Sequence, residues 1–280
     1  MKKFNKKILI FGKGFIGERL RDFFDCDISS RIISKLADAE EEIQRFKPQV
    51  IVNCIGYTGS RNVDDCELDK DMTLTANTFV PIILAEAALR NGLKLVHISS
   101  GCIYHYDYQK STPLKETDIP DFFDLFYSRS KIYAERALEV LSNQYNILIC
   151  RIRIPLDDRP HPKNILDKLI KYKRVIDVPN SVTYIPDFLK MLEHLLYIDA
   201  KGIYNCCNKG GLYYPQLLSV YKKFIPDFQF EVIKVEVLKM VRTNLILSVA
   251  KLEQSGFVVR EIKDVLEECV QNYFKNLNTK

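Results

Sequence analysis

Short apolar segments alternate with longer segments of helical periodicity along the first 155 residues. The apolar segments are nearly continuous, which is typical of strands buried on both faces. Such strands form a parallel sheet covered by helices on both sides and joined by right-handed crossovers. The sequence therefore predicts an α/β fold. Strands are predicted within residues 6–11, 48–56, 93–100 and 145–155, and helices within 15–24, 65–92 and 127–144.

A change in composition follows Pro155. The polar, proline-bearing segment LDDRPHPKN comes next, and the remainder is mostly helical. A chain of 280 residues, 47% of them hydrophobic, can bury one large domain and a smaller lobe. We expect residues 1–154 to form the sheet domain. Residues 155–280 are expected to form mainly the smaller lobe, with some segments returning to pack on the sheet.

The net charge of +5 is a mild excess without a long basic block. It favours a phosphate-bearing small ligand over nucleic acid. No signal peptide is recognisable behind the N-terminal MKKFNKK, and no apolar run approaches the length of a membrane span. The expected location is the cytoplasm, with no membrane partner. Eight scattered cysteines without a C-x-x-C motif argue against a disulfide framework.

The segment GKGFIG follows the first predicted strand and begins a helix. Glycines let the backbone turn tightly beside a pyrophosphate, and the helix N-terminus offers N–H groups to the anion. This context predicts a Rossmann-type, doubly wound dinucleotide domain, with the C-terminal lobe binding the substrate. The residues assigned to the turn are Gly12, Lys13, Gly14, Phe15, Ile16 and Gly17.

The segment DISSRI bears on the choice of dinucleotide. An NAD enzyme usually places an acidic residue at this distance from the glycine turn, against the ribose hydroxyls. Asp27 lies near that position, but Ser29, Ser30 and Arg31 suit a 2′-phosphate better. Lys13, within the glycine turn, adds positive charge. The predicted cofactor is NADPH/NADP, bound in part by Ser30 and Arg31.

The segment YSRSK places Tyr127 and Lys131 four residues apart at the start of a helix, on one face. A lysine cation near a phenol favours the phenolate, so the tyrosine can give its proton to a carbonyl oxygen as hydride reaches the carbon. Ser100, at the end of the preceding strand, can hydrogen-bond the same oxygen. Together these residues predict a carbonyl reductase, with Lys131 also binding the cofactor.

The segment NCIGYTG ends the second long strand. Asn53, Cys54 and Gly56 are expected to line the dinucleotide site, because a glycine there lets the cofactor lie close to the backbone. Thr58 lies in the loop that follows. Asn77 lies within the long helix and has two interpretations. Its side chain either holds a strand end or a water molecule beside the cofactor, or it is simply exposed on the helix surface.

This set of motifs resembles the extended short-chain dehydrogenase/reductase superfamily and, within it, the dTDP-4-dehydrorhamnose reductase group. That group usually has Ser/Thr-Asp-Tyr after this strand, whereas here Gly101 and Cys102 follow Ser100. The narrower resemblance is to the bifunctional nucleotide-rhamnose synthases. It rests on the segments NVDDCE, GCIYHYD, FYSRSK, RIRIP, VPNSVT and GIYNCCNKG.

The resemblance implies conversion of UDP-4-keto-6-deoxy-D-glucose to UDP-L-rhamnose by 3,5-epimerisation and NADPH-dependent reduction of the C4 ketone. It implies Cys102 and Lys168, the latter in the matching segment PKNILDK, as the acid/base pair for epimerisation. Related enzymes also suggest a homodimer that pairs the helices at 66–91 and 127–144. The resemblance assigns substrate binding to Thr58, Cys102, Asn164, Asn180 and Ser181.

Several alternatives stay open at this point. One alternative function is that of a 4-reductase without epimerase activity. Another is that of a regulatory subunit that keeps the fold and the cofactor but catalyses no reaction. If they take no part in catalysis, Cys102 is a small packing residue and Lys168 is a solvated lysine on a helix. The sequence does not decide between UDP and dTDP, nor which of the pair is the acid. Cys102 and His105 have metal-like spacing, but two ligands do not make a metal site, and none is predicted.

Overall fold

The computed structural model describes residues 4–107, 112–172, 174–237 and 243–277. The chain forms two compact units. The first consists of Met1–Ile103, Pro120–Arg151 and Leu192–Tyr204, and the second of Tyr104–Ile119, Ile152–Met191 and Asn205–Lys280. In this division Tyr104–Ile119 and the residues from Ile152 onward belong to the second unit, except Leu192–Tyr204, which belongs to the first.

Strands and helices follow one another through most of the described chain. The strands are β1 (Ile8–Phe11), β2 (Asp27–Ser29), β3 (Val50–Asn53), β4 (Lys94–Ser100), β5 (Ile147–Ile152), β6 (Pro155–Leu156), β7 (Arg174–Ile176), β8 (Thr183–Tyr184), β9 (Gly202–Asn205) and β10 (Glu231–Ile233). The helices are α1 (Phe15–Phe24), α2 (Leu36–Phe46), α3 (Lys70–Leu74), α4 (Val80–Arg90), α5 (Phe126–Ser142), α6 (Ile165–Lys171), α7 (Ile185–Tyr197), α8 (Tyr214–Phe224), α9 (Ala250–Gln254) and α10 (Leu266–Leu277).

The sheet of the first unit has six strands in the order β2-β1-β3-β4-β5-β9. Strand β1 runs parallel to β2 and β3, and β3 runs parallel to β4. Phe11 pairs with both Ser29 and Asn53, and Asn53 pairs with His97, so these strands end at one edge. The strand order reverses between β1 and β3, the place where ligands bind in such sheets. The predicted α/β fold with a doubly wound parallel sheet is confirmed.

The apolar strands explain why this sheet lies in the centre of its unit. Every residue of β1, β3 and β4 is buried. Phe11 and Ile51 share one hydrophobic core with Leu84 of α4 and Leu138 of α5. Because these strands are covered on both faces, the exposed chemistry is confined to the loops at their ends.

The helix predicted over 65–92 is interrupted. A 3₁₀ turn spans Val63–Glu67, and a π-helical turn at Thr75–Phe79 separates α3 from α4. Pro81 has no N–H to donate to the carbonyl of Asn77, which disrupts regular α-helical hydrogen bonding at this point. By length and composition the stretch Lys70–Arg90 is apolar enough to span a membrane, contrary to the sequence expectation, yet half of its most apolar window is buried within the protein.

The second unit contains two small parallel sheets, β6-β8 and β7-β10. Leu156, Tyr184, Leu217 and Leu266 contribute to its hydrophobic core. Helix α6 ends before Arg174–Ile176, which forms β7, and helix α7 begins directly after β8, at Ile185.

Lys94, at the start of β4, attaches the 192–204 segment to the first unit. Its ammonium group donates to Asn146 Oδ1 at 2.6 Å, Asp199 Oδ1 at 3.0 Å and the Ala200 carbonyl at 2.8 Å. The Lys94 side chain is only 3% exposed. A buried ammonium group is tolerated when its donors are satisfied in this way.

We expect Lys94→Met to lower the Tm by about 5 °C, because methionine fills the space but leaves Asn146 and the Ala200 carbonyl without their donor, a loss of about 2 kcal/mol. Thermal unfolding followed by circular dichroism measures the change. Lys201→Met is the control, since Lys201 is exposed on the same segment. Equal melting of Lys94→Met and wild type would show that these hydrogen bonds do not stabilise the unit.

Candidate active site

The glycine turn after β1 has the close contacts that its sequence predicts. Gly12 has φ of +107°, and a Cβ at this position would lie 2.7 Å from the backbone carbonyl carbon of Cys54. A Cβ on Gly17 would lie 2.0 Å from the Gly12 carbonyl oxygen. Side chains are therefore excluded at both positions, and the turns after β1 and β3 lie directly against each other.

The start of α1 is suited to an anion. Gly14 is its N-cap residue, and no side chain caps this helix. A Cβ built on Gly14 would meet no described atom within 4 Å, so this side of the turn is open. The first N–H groups of a helix lack partners within it and carry the positive end of the helix dipole. Lys13, Phe15 and Ile16 belong to the same turn, which thus fits a dinucleotide pyrophosphate.

The segment after β2 differs in detail from the sequence expectation. Ser29 is buried and donates to Glu42 at 2.6 Å, so its hydroxyl is already committed. Ser30 and Arg31 are exposed. The Arg31 guanidinium lies between Asp38 at 3.0 Å and Glu41 at 2.7 Å. Ser30 and Arg31 therefore remain the exposed polar residues of this segment, and the Arg31 guanidinium is paired with two carboxylates.

Asp38 fixes the loop that carries Arg31. Its carboxylate accepts hydrogen bonds from the backbone N–H groups of Ser34 and Lys35 and from the Ser34 hydroxyl, besides Arg31. These bonds, the backbone bond from Ser34 first, hold the pKa of Asp38 well below its usual range. Sequence reasoning did not anticipate this role, because a single aspartate in a helical turn carries no distinguishing pattern.

Asn53 and His97 form a buried pair at the ends of two neighbouring strands. The Asn53 amide nitrogen lies 3.1 Å from His97 Nδ1, and its oxygen accepts the Ile55 N–H at 2.9 Å. Burial, followed by the nearby Lys131 cation, lowers the pKa of His97 well below its usual value, so the ring is neutral. Asn53 thus shapes the turn beside the dinucleotide site. Cys54 and Gly56 continue this turn, and Thr58 lies half-buried just beyond it.

Asn77 is fully buried, which excludes the exposed-helix interpretation. Its side chain accepts the Tyr57 N–H at 2.8 Å and donates to the Tyr57 carbonyl at 2.9 Å and to the Ser130 hydroxyl at 3.1 Å. It therefore connects the loop after β3 to helix α5. A Cβ on Gly56 would lie 3.3 Å from both Asn77 Oδ1 and Lys131 Nζ, so the lysine ammonium reaches the turn after β3. The π-helical turn places Asn77 at this point.

Ser100 and Cys102 share a tight turn at the end of β4. The Cys102 N–H donates to the Ser100 hydroxyl oxygen at 3.1 Å. This bond occupies an acceptor position on Ser100, which retains its own O–H as a donor. The Cys102 carbonyl accepts from the Ser128 hydroxyl at 2.6 Å, and Ser128 directly follows Tyr127. The structure thus places the Ser100–Cys102 turn against the first turn of α5, the turn that also carries Tyr127.

Lys131 lies on the second turn of α5 and is buried, as is Tyr127. Burial lowers the pKa of Lys131 to about 8, and the neighbouring Glu135 carboxylate opposes this shift. Below that pH the lysine is a cation one helix turn after Tyr127, on the same face of α5. Such a cation favours the phenolate and so makes the tyrosine a better proton donor.

A buried ion pair behind this site was missed by sequence reasoning. Arg151 of β5 donates from Nε to Glu135 Oε1 at 2.9 Å, and both side chains are at most 3% exposed. The other Glu135 oxygen accepts from the Ser99 hydroxyl at 2.8 Å. The pair joins β4, β5 and α5, the elements that carry the candidate catalytic residues. Glu135 is 16 residues from Arg151 and 36 residues from Ser99, so no local motif reveals these contacts.

Lys168 lies in the second unit, on helix α6. Burial, with the Lys163 cation as a smaller contribution, lowers the pKa of Lys168 below its ordinary value. A lysine needs such an environment to act as a base near neutral pH. The Asn164 side chain caps α6 and uses both of its oxygen and nitrogen positions on Leu166, Asp157 and Arg159. A substrate contact by Asn164 would have to displace one of these bonds.

Asn180 and Ser181 are buried and bonded within the second unit. The Asn180 oxygen accepts from Arg153 and Leu245, and its nitrogen donates to Asn244 at 3.0 Å. The Ser181 hydroxyl accepts the Leu247 N–H at 2.9 Å. Both residues hold the segment from 243 to 247 in place. Cys206 and Cys207 are buried just after β9, not within it.

Within residues 4–107, 112–172, 174–237 and 243–277, no group of three or more His, Cys, Asp or Glu side chains is arranged to hold a metal ion. What the arrangement offers is a proton donor, a hydrogen-bond donor and a cation beside a dinucleotide turn.

Comparison with known proteins gives one family match and several relatives. Residues 6–178 match the family described as RmlD substrate binding domain. An Arabidopsis thaliana bifunctional dTDP-4-dehydrorhamnose 3,5-epimerase/dTDP-4-dehydrorhamnose reductase is 32% identical over 241 residues, which cover 82% of this chain and 78% of the relative. A trifunctional Arabidopsis thaliana UDP-glucose 4,6-dehydratase/UDP-4-keto-6-deoxy-D-glucose 3,5-epimerase/UDP-4-keto-L-rhamnose-reductase is 30% identical over 276 residues, which cover 93% of this chain and 41% of the relative.

Solved structures resemble this chain over nearly its whole length. The L780 UDP-rhamnose synthase of Acanthamoeba polyphaga mimivirus has a TM-score of 0.87 at 25% identity, covering 96% of this chain and 100% of that one. The dTDP-4-dehydrorhamnose reductase of Bacillus anthracis, in complex with NADP, has a TM-score of 0.80 at 20% identity, covering 96% and 98%. The chain spans about two-fifths of the trifunctional relatives and the whole of the viral structure.

Proposed function

The chain belongs to the RmlD substrate binding domain family, and on that premise we propose that it converts UDP-4-keto-6-deoxy-D-glucose to UDP-L-rhamnose by 3,5-epimerisation and NADPH-dependent reduction of the C4 ketone. The observation that carries the proposal is the hydrogen-bonded contact between the Ser100–Cys102 turn and the start of α5, the helix that carries Tyr127 and Lys131. Ser100, Tyr127 and Lys131 supply the groups needed for reduction, and the Cys102 thiol supplies a further proton-transfer group.

The reduction uses residues of the first unit. Tyr127 transfers its phenolic proton to the C4 carbonyl oxygen, which becomes the hydroxyl of the product. NADPH, when bound, supplies the hydride that adds to C4. Ser100 donates a hydrogen bond to the same oxygen, and the Lys131 cation stabilises the phenolate that remains. Water then returns a proton to Tyr127.

The epimerisation depends on the same ketone. The C4 carbonyl acidifies the hydrogens on C3 and C5, because the enolate left by proton removal is stabilised by the groups that bind the oxygen. Inversion needs one group to remove a proton from one face and another to deliver a proton from the opposite face. Cys102 and Lys168 are assigned to these two roles. The lowered pKa of Lys168 meets the condition for an amine base.

The cofactor prediction agrees with the similar structure that contains NADP. In this chain the turn at Gly12 and Gly17, the uncapped start of α1, and the exposed Arg31 fit the pyrophosphate and the 2′-phosphate. NADPH over NADH is therefore the proposed preference.

Reduction without epimerisation is the second candidate, and the likeness to a dTDP-4-dehydrorhamnose reductase supports it. Product analysis separates the possibilities. Purified protein is incubated with NADPH and either UDP-4-keto-6-deoxy-D-glucose or the pre-epimerised 4-keto sugar, and products are identified by nuclear magnetic resonance. UDP-L-rhamnose from the first substrate supports the proposal. Turnover of the pre-epimerised sugar alone indicates a reductase, and no turnover of either indicates a non-catalytic subunit. The dTDP sugars, assayed in parallel, decide the nucleotide.

The preference for NADPH is expected to disappear when the basic residues are removed. Arg31→Ala combined with Lys13→Ala should lower kcat/KM for NADPH by about 10- to 100-fold, the scale of lost charge-assisted hydrogen bonds. The value for NADH should change by less than about threefold on the same grounds. Steady-state assays at fixed ionic strength measure both. Arg21→Ala, at the far end of α1 where Arg21 pairs with Asp22, is the control. An unchanged ratio in the double variant would contradict the assignment.

A further inference from the structure

Helix α5, which carries Tyr127 and Lys131, has no N-terminal cap from its own sequence. Its N-cap residue is Leu125, which makes no side-chain capping bond, and no acidic residue lies in its first turn. Glu67 supplies the cap from 59 residues earlier, since its carboxylate accepts the Phe126 N–H at 2.6 Å. An anion at a helix N-terminus satisfies an unpaired N–H group and offsets the helix dipole.

Lys70 reinforces this contact. Its ammonium group lies 4.0 Å from the second Glu67 oxygen and 5.5 Å from the centroid of the Phe126 ring. The two side chains therefore contact both the backbone and the ring of Phe126, the residue directly before Tyr127. A cation above an aromatic ring adds attraction at this distance.

The loop before Glu67 is built to hold it in place. Gly59 has φ of +72°, and a Cβ there would lie 2.0 Å from the Asn62 carbonyl oxygen. Asn62 caps the 3₁₀ turn by accepting the Asp64 N–H at 2.8 Å. Asp65 accepts the Arg61 backbone N–H at 2.8 Å and its guanidinium at 2.7 Å. The segment NVDDCE thus ends at a defined position for the Glu67 carboxylate.

We propose that Glu67 is a positioning residue for the reduction, acting through the first turn of α5 on the Tyr127 phenol. The inference rests on the proposed function for its catalytic consequence, but the capping contact is independent of it. Without the cap the first turn frays, and Tyr127 lies in that turn. Small displacements of a reacting group lower the rate strongly without removing any catalytic side chain. The dinucleotide turn at Gly12–Gly17 is formed by other elements and is expected to keep its affinity.

The test compares Glu67→Ala, Glu67→Gln and the control Glu86→Ala. Glu86 is an exposed glutamate on α4 that pairs with Arg90. Glu67→Ala should lower kcat for ketone reduction about tenfold, with KM for NADPH within about twofold of wild type, at a temperature well below its Tm. Glu67→Gln keeps an oxygen that accepts the Phe126 N–H and should recover most of kcat. Glu86→Ala should match wild type.

Hydrogen exchange monitored by mass spectrometry gives a second measurement. Peptides covering residues 125–130 should exchange faster in Glu67→Ala than in wild type and in Glu86→Ala. Unchanged exchange there overturns the capping, and faster exchange with unchanged kcat overturns the positioning role. Equal losses in Glu67→Gln and Glu67→Ala also overturn it. A wild-type protein that does not reduce the ketone overturns the proposed function instead, and the exchange measurement then decides the inference about Glu67.

Discussion

Tyr127→Phe is expected to lower kcat for ketone reduction by about 100-fold or more, the usual scale for loss of a general acid. The substitution removes only the phenolic oxygen, so the buried ring and the start of α5 keep their packing. NADPH binding, measured by fluorescence, should stay close to wild type. The rate is measured under saturating substrate and cofactor, so that the loss is assigned to the chemical step.

Tyr133→Phe is the matched control, because Tyr133 lies on the same helix with its side chain 48% exposed. It should reduce at the wild-type rate. Near-wild-type reduction by Tyr127→Phe would remove this tyrosine from the mechanism.

The pH dependence of the wild-type rate offers a further check on Tyr127. Burial lowers the pKa of Lys131 to about 8, so its charge is present below that pH and lost above it. Reduction should therefore decline as the pH rises through about 8.

The glycine turn and the Tyr127–Lys131 pair were predictable because each is a local pattern. Within a few residues the sequence shows the strand, the turn and the helix that give such a motif its meaning. Ser100 was predictable for a related reason, since a strand end in a parallel sheet leads directly to the site edge. These are the parts of the site in which neighbours in sequence are also neighbours in space.

The supporting contacts were not predictable, because they join distant positions. Glu135 meets Arg151 and Ser99, and Glu67 meets Phe126 across 59 residues. Each is an ordinary glutamate in the sequence, and only the packing of α5 on the sheet gives it a partner.

Asn164 and Asn180 show the opposite difficulty. The resemblance assigns their polar side chains to the substrate, but the fold uses them for helix capping and for holding a distant loop. A buried asparagine has two donor and two acceptor positions, and the chain satisfies them internally wherever it can. Sequence resemblance identifies such residues, but it does not say whether their side chains bind the substrate or make hydrogen bonds within the protein.

Cys102→Ala and Lys168→Ala are each expected to abolish hydrogen exchange at C3, C5 or both when the 4-keto sugar is incubated in heavy water without NADPH. Without NADPH the ketone persists, so the wild type should place deuterium at both carbons, detected by nuclear magnetic resonance. Each carbon needs one group that removes its proton and one on the opposite face that delivers a deuteron, so losing either group should stop exchange with inversion. The enolate is still held by Ser100 and Tyr127, which neither substitution removes.

The two variants should retain reduction of the pre-epimerised 4-keto sugar with NADPH, which separates lost proton transfer from lost folding. Lys171→Ala tests the lysine assignment on the same helix, since Lys171 is exposed at its end. Cys26→Ala tests a cysteine near β2, away from the turn after β4. Both controls should exchange like wild type.

The pH response of the exchange should identify which of the pair is the base. Burial and Lys163 lower the pKa of Lys168, so its neutral amine becomes more abundant as the pH rises towards that value. If Lys168 is the base, exchange should increase with pH in wild type and lose this dependence in Lys168→Ala. Undiminished deuterium exchange in both variants would make Cys102 a packing residue of the turn after β4. In that case the reductase residues alone would account for the activity of this chain.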